Sequence, residues 1–185
     1  MTKDKFYIVY FFKFIITIIL FYFLAIIQNS FFAHFNFLGS FPNFILIFFL
    51  LLIFFEKEKN NYILFFNSLI AGLFLDIFYE TYFGISVLIL IIIGFSIKKI
   101  QLSLQEKEDK YPFGYFLFLF LSSFIIYQII FILYSHLTNP LYLKLTINYK
   151  KIFDILYNIV FAIIGFYVFK KITNINNNKQ LKLFK

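Results

Sequence analysis

The polar residues best placed to do chemistry lie in residues 67–84, where Ser68, Gly72 and Asp76 recur every four positions. On a helix this spacing puts all three residues on one face. Small residues on that face let a neighbouring helix approach closely, and a carboxylate is expected to point away from lipid because a charge facing hydrocarbon is costly. The stripe therefore predicts a close helix contact, and we expect it to be an assembly surface for another protein.

Asp76 needs a compensating group because it falls at the C-terminal end of its predicted helix, where the macrodipole disfavours a negative charge. Another subunit is one possible source of a cation. The candidates in this chain are basic groups predicted on the same side of the membrane, namely Lys144, Lys150, Lys151, His34 and His136. Two other interpretations stay open: a hydrated carboxylate at the membrane rim, and proton coupling, for which one acid without a relay is weak evidence.

A second segment, Ser40-Phe41-Pro42-Asn43, opens the next apolar run. Serine can cap a helix, and proline is tolerated in the first turn because its missing N–H would be unpaired there anyway. We therefore expect these residues to begin a helix, with Ser40 as the cap and Pro42 in its first turn.

The remaining charges are interpreted as structural. Lys13 lies close enough to the start of the first apolar run to extend its ammonium group toward the lipid headgroups. Residues 56–59 read Glu-Lys-Glu-Lys, a neutral turn. Asp154 falls in the first turn of the last predicted helix, where the dipole favours a carboxylate.

No catalytic template fits the sequence. The chain contains no cysteine, and its two histidines, His34 and His136, lie far apart. It has no HExxH, P-loop or GxSxG motif and no cluster with metal-ligand spacing. We therefore expect no enzymatic activity, no metal and no cofactor.

The elements that would position these residues are membrane helices. Of 185 residues, 62% are hydrophobic and 14% are charged, whereas soluble domains are roughly 45–50% apolar and about 25% charged. This excludes a soluble, a disordered or a disulfide-based protein. The net charge is +8, and every one of the 17 basic residues that Lys and Arg could supply is a lysine. It suits binding to membrane lipids and not to nucleic acid, because no soluble domain carries it.

Apolar runs predict an all-α membrane protein, a six-helix transmembrane bundle in a single domain that covers residues 1–185. Two of the runs have 15 residues and reach only about 22 Å, short of a ~30 Å hydrocarbon core, so these helices must borrow polar flanks or pack inside the bundle. The predicted spans are residues 6–27, 41–55, 62–77, 83–97, 111–134 and 152–169.

Lysine placement predicts the topology. With the N-terminus in the cytoplasm, 13 lysines fall on the inner side and three on the outer side, the asymmetry that the positive-inside rule requires. Both termini are then cytoplasmic. Residues 170–185 form a basic cytoplasmic tail, expected to lie against anionic lipid or to bind a cytoplasmic partner.

These features together resemble the bacterial rod shape-determining protein MreD family. The likeness rests on Gln28 after the first span, on Pro42-Asn43 before the second, and on residues 71–76, Ala-Gly-Leu-Phe-Leu-Asp, followed by Gly84. In the family the proline is usually followed by Asp, so Asn43 is a departure that weakens any role needing a charge there.

The resemblance implies a non-enzymatic component of the cell-elongation complex in the cytoplasmic (inner) membrane, which helps to organise peptidoglycan synthesis. Such proteins associate with the bitopic protein MreC, and through it with the MreB filament, RodA and a class B penicillin-binding protein. It also implies a fold similar to the substrate-binding subunits of vitamin transporters.

The main alternative is such a subunit itself, which would bind a vitamin or a metal for uptake. Against it, few polar groups converge on the predicted outer side: Gln28, Asn29, His34, Asn139 and Asp76. A membrane acyltransferase or phosphatase is a third interpretation, which the missing motifs disfavour.

Overall fold

The computed structural model of the protein describes residues 3–32, 34, 40–56, 61–78, 83–104, 113–138 and 149–183. These residues form six α-helices, and a π-helical turn, Ile27–Phe32, continues the first of them. The helices are α1 (Lys3–Ile26), α2 (Phe44–Phe55), α3 (Asn61–Phe78), α4 (Ile85–Leu104), α5 (Phe113–Thr138) and α6 (Tyr149–Leu183).

Five of these helices are long and apolar enough to cross a membrane, and α2 is the exception. It has 12 residues, so it rises only about 18 Å. The predicted span 41–55 is therefore too long as a helix. Pro42 biases Phe41 away from the helical conformation, and Asn43 has the non-helical backbone of an N-cap residue (φ −92°, ψ 83°), so the helix begins at Phe44.

The short helix α2 is the centre of the bundle. Its sequence is apolar on every face, as expected for a helix that other helices surround. It contacts α1, α3, α4 and α6. Its C-terminal end holds an aromatic cluster, in which the Phe54 ring centroid lies 5.0 Å from that of Phe116 in α5 and 6.1 Å from that of Phe166 in α6.

The outer helices present apolar side chains to the surroundings. In α1 and α6 only 17% of the apolar span is buried, against 44% in α3. Side chains such as Phe12 and Ile19 of α1 and Val160 of α6 are more than half exposed. In water this surface would be costly, whereas hydrocarbon accommodates it, so the fold is that of a multi-pass membrane protein.

Helices α4 and α6 extend furthest beyond their predicted ends. Helix α4 runs to Leu104, so Lys98 and Lys99 lie on a helix and not in the predicted inner loop. Helix α6 has 35 residues and continues through the predicted tail to Leu183. At about 52 Å it is longer than a bilayer is thick.

The chain alternates in direction, so the starts of α2, α4 and α6 lie at the bundle end where α1, α3 and α5 finish. Hydrogen bonds between these termini, described below, confirm the shared end. We call it the outer end, following the topology predicted from the lysines, and the opposite end the inner end.

Candidate functional site

The stripe of Ser68, Gly72 and Asp76 faces α4 of the same chain. A Cβ atom on Gly72 would overlap the backbone of Val87, lying 2.5 Å from its nitrogen. The Ser68 hydroxyl donates to its own helix at Leu64 O (2.9 Å) and lies 3.4 Å from Leu90 O of α4. The small residues thus allow α3 and α4 to touch backbone to backbone, as their spacing predicts.

Asp76 caps the start of α4. Its side chain is 2% exposed, and its two carboxylate oxygens accept hydrogen bonds from the backbone N–H groups of Gly84 (2.6 Å) and Ser86 (3.0 Å). These donors belong to the N-terminus of α4, whose macrodipole favours an anion. The charge that the C-terminus of α3 disfavours is therefore stabilised by the N-terminus of the next helix.

Gly84 supplies the backbone shape for this cap. Its φ is +98°, a conformation that costs a residue with a Cβ atom but not glycine. Its carbonyl accepts from Leu88 N at 3.1 Å, which makes Gly84 the N-cap residue of α4. Since glycine has no side chain to cap with, Asp76 provides the acceptor that a serine or aspartate would otherwise carry.

The polar contacts continue to α5. The Ser86 hydroxyl lies 3.1 Å from the Tyr127 hydroxyl, and both residues are buried. Asp76, Ser86 and Tyr127 thus connect α3, α4 and α5 at one level of the bundle.

This geometry changes two expectations for the stripe. The negative charge of Asp76 is compensated by backbone N–H groups of its own chain, whereas the sequence predicted a cationic side chain or another subunit. The exposed His34 bonds elsewhere, its Nδ1 lying 2.6 Å from Ser30 O. Lys144 and the side chains of Lys150, Lys151 and His136 lie outside the described residues. In this arrangement α4 of the same chain covers Ser68, Gly72 and Asp76, so the close helix contact that the stripe predicts is made within the chain. The use of the stripe as an assembly surface for another protein stays a prediction.

A second group of buried polar side chains surrounds the start of α2. Asn43 is the N-cap, and its Oδ1 accepts from Leu46 N at 2.9 Å. Gln28, from the π-helical turn after α1, accepts from Phe44 N at 2.7 Å. Asn158 of α6 accepts from the backbone N–H of Asn43 at 2.9 Å and donates to Asp154 O at 2.6 Å.

These contacts correct the predicted cap and explain the departure at position 43. The cap is Asn43 and not Ser40, and Pro42 precedes the helix instead of lying in its first turn. All three residues are buried. Asn and Asp cap helices about equally well, so Asn43 makes the capping bond that an aspartate would make at this position.

Two other predicted charges lie differently from expectation. Lys13 was expected to extend toward the lipid headgroups. Instead its Nζ forms an ion pair at 3.1 Å with Oε1 of Glu56, the residue just after the end of α2. Asp154 is the sixth residue of α6 and so lies beyond its first turn.

Sequence reasoning missed Asn158, Tyr127 and Gln101. Each is a hydrogen-bonding residue inside an apolar run, and such a residue in a spanning helix usually faces the bundle interior. That signal was available for Asn158, which is 2% exposed. For Tyr127 it is weak, because tyrosine is also common at membrane interfaces.

Chemically, both groups at the outer end hold helix termini in place. The side-chain oxygens of Asp76, Asn43, Gln28 and Asn158 accept hydrogen bonds from backbone N–H groups. Within the described residues no three acidic or histidine side chains come together in a way that could hold a metal ion.

The comparisons with known proteins agree with the motifs. A family model described as rod shape-determining protein MreD matches residues 9–175, nearly the whole chain, and includes both polar groups of the outer end. No curated protein and no solved structure matches the chain, and nothing in the comparisons supports a likeness to vitamin-transporter subunits. The chain therefore belongs to the MreD family of rod shape-determining proteins.

Proposed function

We propose that this protein is a non-enzymatic scaffold of the cell-elongation complex in the cytoplasmic membrane, where it binds an MreC-type bitopic protein. Through that partner it would act with an MreB filament, RodA and a class B penicillin-binding protein to organise peptidoglycan synthesis. The observation that carries the proposal is the family match over residues 9–175, which gives the chain a role in rod shape determination.

The described residues support a scaffold in two ways. The buried polar groups at the outer end stabilise the termini of α2 and α4 through hydrogen bonds to their backbone N–H groups. The exposed surface of the spans is apolar, with side chains such as Ile16, Ile125 and Ile164 facing outward. A single-span partner helix would pack against such a surface within the membrane.

The residues of the stripe contribute indirectly in this proposal. Ser68, Gly72, Asp76 and Gly84 hold α3 against α4, and Pro42 and Asn43 set the start of α2. They would thereby fix the shape of the outward surface that the partner recognises. Their substitution is expected to lower partner recovery only to the extent that it lowers the amount of folded protein.

Site-specific photo-crosslinking in growing cells tests the proposal directly. A photoreactive amino acid at Ile16, Ile125 or Ile164 samples the exposed surfaces of α1, α5 and α6. We expect a crosslink to the MreC-type protein from at least one of these positions. The matched control is Leu90, which is fully buried in α4 and should yield no such crosslink.

Cell shape provides the second readout. Depletion of the protein should round the cells, and a crosslinkable variant should restore rods. If rods are restored while no exposed position crosslinks to the MreC-type protein, the partner assignment is wrong even though the role in shape holds.

A further inference from the structure

A small cavity at the inner end of the bundle is not used by any contact described so far. Its polar lining consists of Glu56, Asn67, Lys98 and Gln101. The apolar residues Ile53, Ile63 and Leu64 form the remainder. Helices α2, α3 and α4 thus meet around a cavity of mixed polar and apolar lining at the end opposite to Asp76.

Among the described residues, the charged side chains of the cluster at this cavity are Glu56, Lys98 and Lys13. Glu56 pairs with Lys13 of α1 at 3.1 Å and also interacts electrostatically with Lys98 of α4. One carboxylate shared by two ammonium groups gives the cluster a net charge of +1. The side chain of Glu56 is 17% exposed and that of Lys13 is 47% exposed, so the cluster reaches the surface of the bundle.

Asn67 points to a ligand. Its side chain is 92% buried, with 8% exposed, it lines the cavity, and its carboxamide makes no hydrogen bond with any described residue. Its polar atoms open onto the cavity, where a water molecule or a ligand atom would satisfy them. Gln101 differs, because its Nε2 donates to Phe54 O at 3.1 Å.

The cluster lies near the inner ends of the apolar spans. Lys13 is close to the start of the apolar segment of α1, and Lys98 is close to the end of that of α4. Glu56 directly follows α2. Phosphate groups of a bilayer occupy this boundary between hydrocarbon and water.

We propose that this cavity binds a phosphate oxygen of an anionic phospholipid in the inner leaflet. Lys98 supplies a charge-assisted hydrogen bond, the NH₂ group of Asn67 supplies a second donor, and Lys13 contributes positive charge at the rim. Ile53, Ile63 and Leu64 contact the adjoining apolar part of the lipid.

The size of the cavity favours a lipid over an enclosed metabolite. Its volume is about 20 Å³, enough for one water-sized group. Sites for small molecules usually enclose about 300–1,000 Å³. The bulk of the ligand must therefore stay outside, as it does when a lipid inserts one headgroup oxygen and leaves its acyl chains in the membrane.

Native mass spectrometry of the full chain in detergent tests the proposal with phosphatidylglycerol as the probe. We expect one lipid per chain to be retained, with phosphatidylcholine retained less. Lys98→Gln should weaken retention about tenfold, the loss expected from one charge-assisted hydrogen bond. Asn67→Leu, which keeps the volume but removes the donor, should weaken it several-fold.

Lys99→Gln is the matched control, because Lys99 is exposed beside Lys98 and its substitution removes the same charge. It should leave retention unchanged, and a thermal melt of each variant shows that the protein is folded. Equal losses from Lys98→Gln and Lys99→Gln would overturn the site, since general surface charge would then explain binding. Displacement of the lipid by millimolar inorganic phosphate would overturn the assignment to a lipid.

Discussion

A buried carboxylate persists in an apolar bundle only when donors reach its oxygens. Asp76 meets this condition through backbone groups eight and ten residues ahead in the chain. Such partners are hard to predict from sequence, because only the turn between the two helices brings them back to the carboxylate. Side-chain cations were therefore the expected partners, whereas the N-terminus of α4 supplies the stabilisation.

Replacement of Asp76 tests this capping role. Asp76→Ala leaves two buried N–H groups without an acceptor, so we expect it to lower the free energy of unfolding by about 2–5 kcal/mol. Asp76→Asn keeps one acceptor oxygen and should cost less. The measurement is equilibrium unfolding in mixed micelles. Ser96→Ala, at an exposed position of α4, is the control and should change little.

The cap of α2 gives a second prediction at this scale. Asn43→Ala removes the acceptor for Leu46 N and should cost about 1 kcal/mol, the usual loss of an N-cap. Asn43→Asp keeps the acceptor and adds a charge that the helix N-terminus favours. Its stability in the same unfolding experiment should stay closer to that of the natural chain. A larger loss with Asp than with Ala would contradict the capping role.

At the scale of elements, the contact between α3 and α4 was partly predictable from the sequence, whereas the central position of α2 was not. The four-residue spacing of Ser68, Gly72 and Asp76 indicated a close contact on that face of α3, and the structure places α4 there. Sequence could not identify the neighbour, because small residues suit a helix of the same chain as well as a partner. Nor does hydropathy reveal that α2 ends up central, since apolar residues suit both lipid and protein surroundings.

The contact between α3 and α4 predicts different outcomes for two glycines. Gly72→Ala places a methyl group against the Val87 backbone, which cannot move without separating the helices. Gly165→Ala meets only the end of the Leu51 side chain, at 2.5 Å, and a leucine can change rotamer. We expect Gly72→Ala to cost about 3 kcal/mol or more and Gly165→Ala about 1 kcal/mol. Similar melting temperatures for the two variants would argue against the backbone contact.

At the scale of the whole molecule, composition was sufficient for the class and the number of helices. Composition could not predict that the chain would cross the membrane at α2 with a short helix preceded by non-helical residues. A 12-residue helix rises about 18 Å, and the non-helical residues 40–43 before it add at most about 14 Å when extended. Irregular backbone at membrane depth is tolerated only where protein buries it. Gln28 and Asn158 meet this requirement, because they bond to the backbone N–H groups of Phe44 and Asn43.

The inside-outside arrangement of the molecule is the remaining prediction, and the chain is well suited to test it because it contains no cysteine. His34 lies at the outer end of the bundle. Lys170 lies near the inner end of the apolar span of α6, and both residues are exposed. With 13 lysines predicted inside against three outside, the positive-inside rule requires the inner end to face the cytoplasm. A membrane-impermeant maleimide should therefore label His34→Cys in intact cells, and Lys170→Cys only after permeabilisation. The reverse pattern would invert the topology. Labelling of both in intact cells would contradict α6 as a membrane-spanning helix.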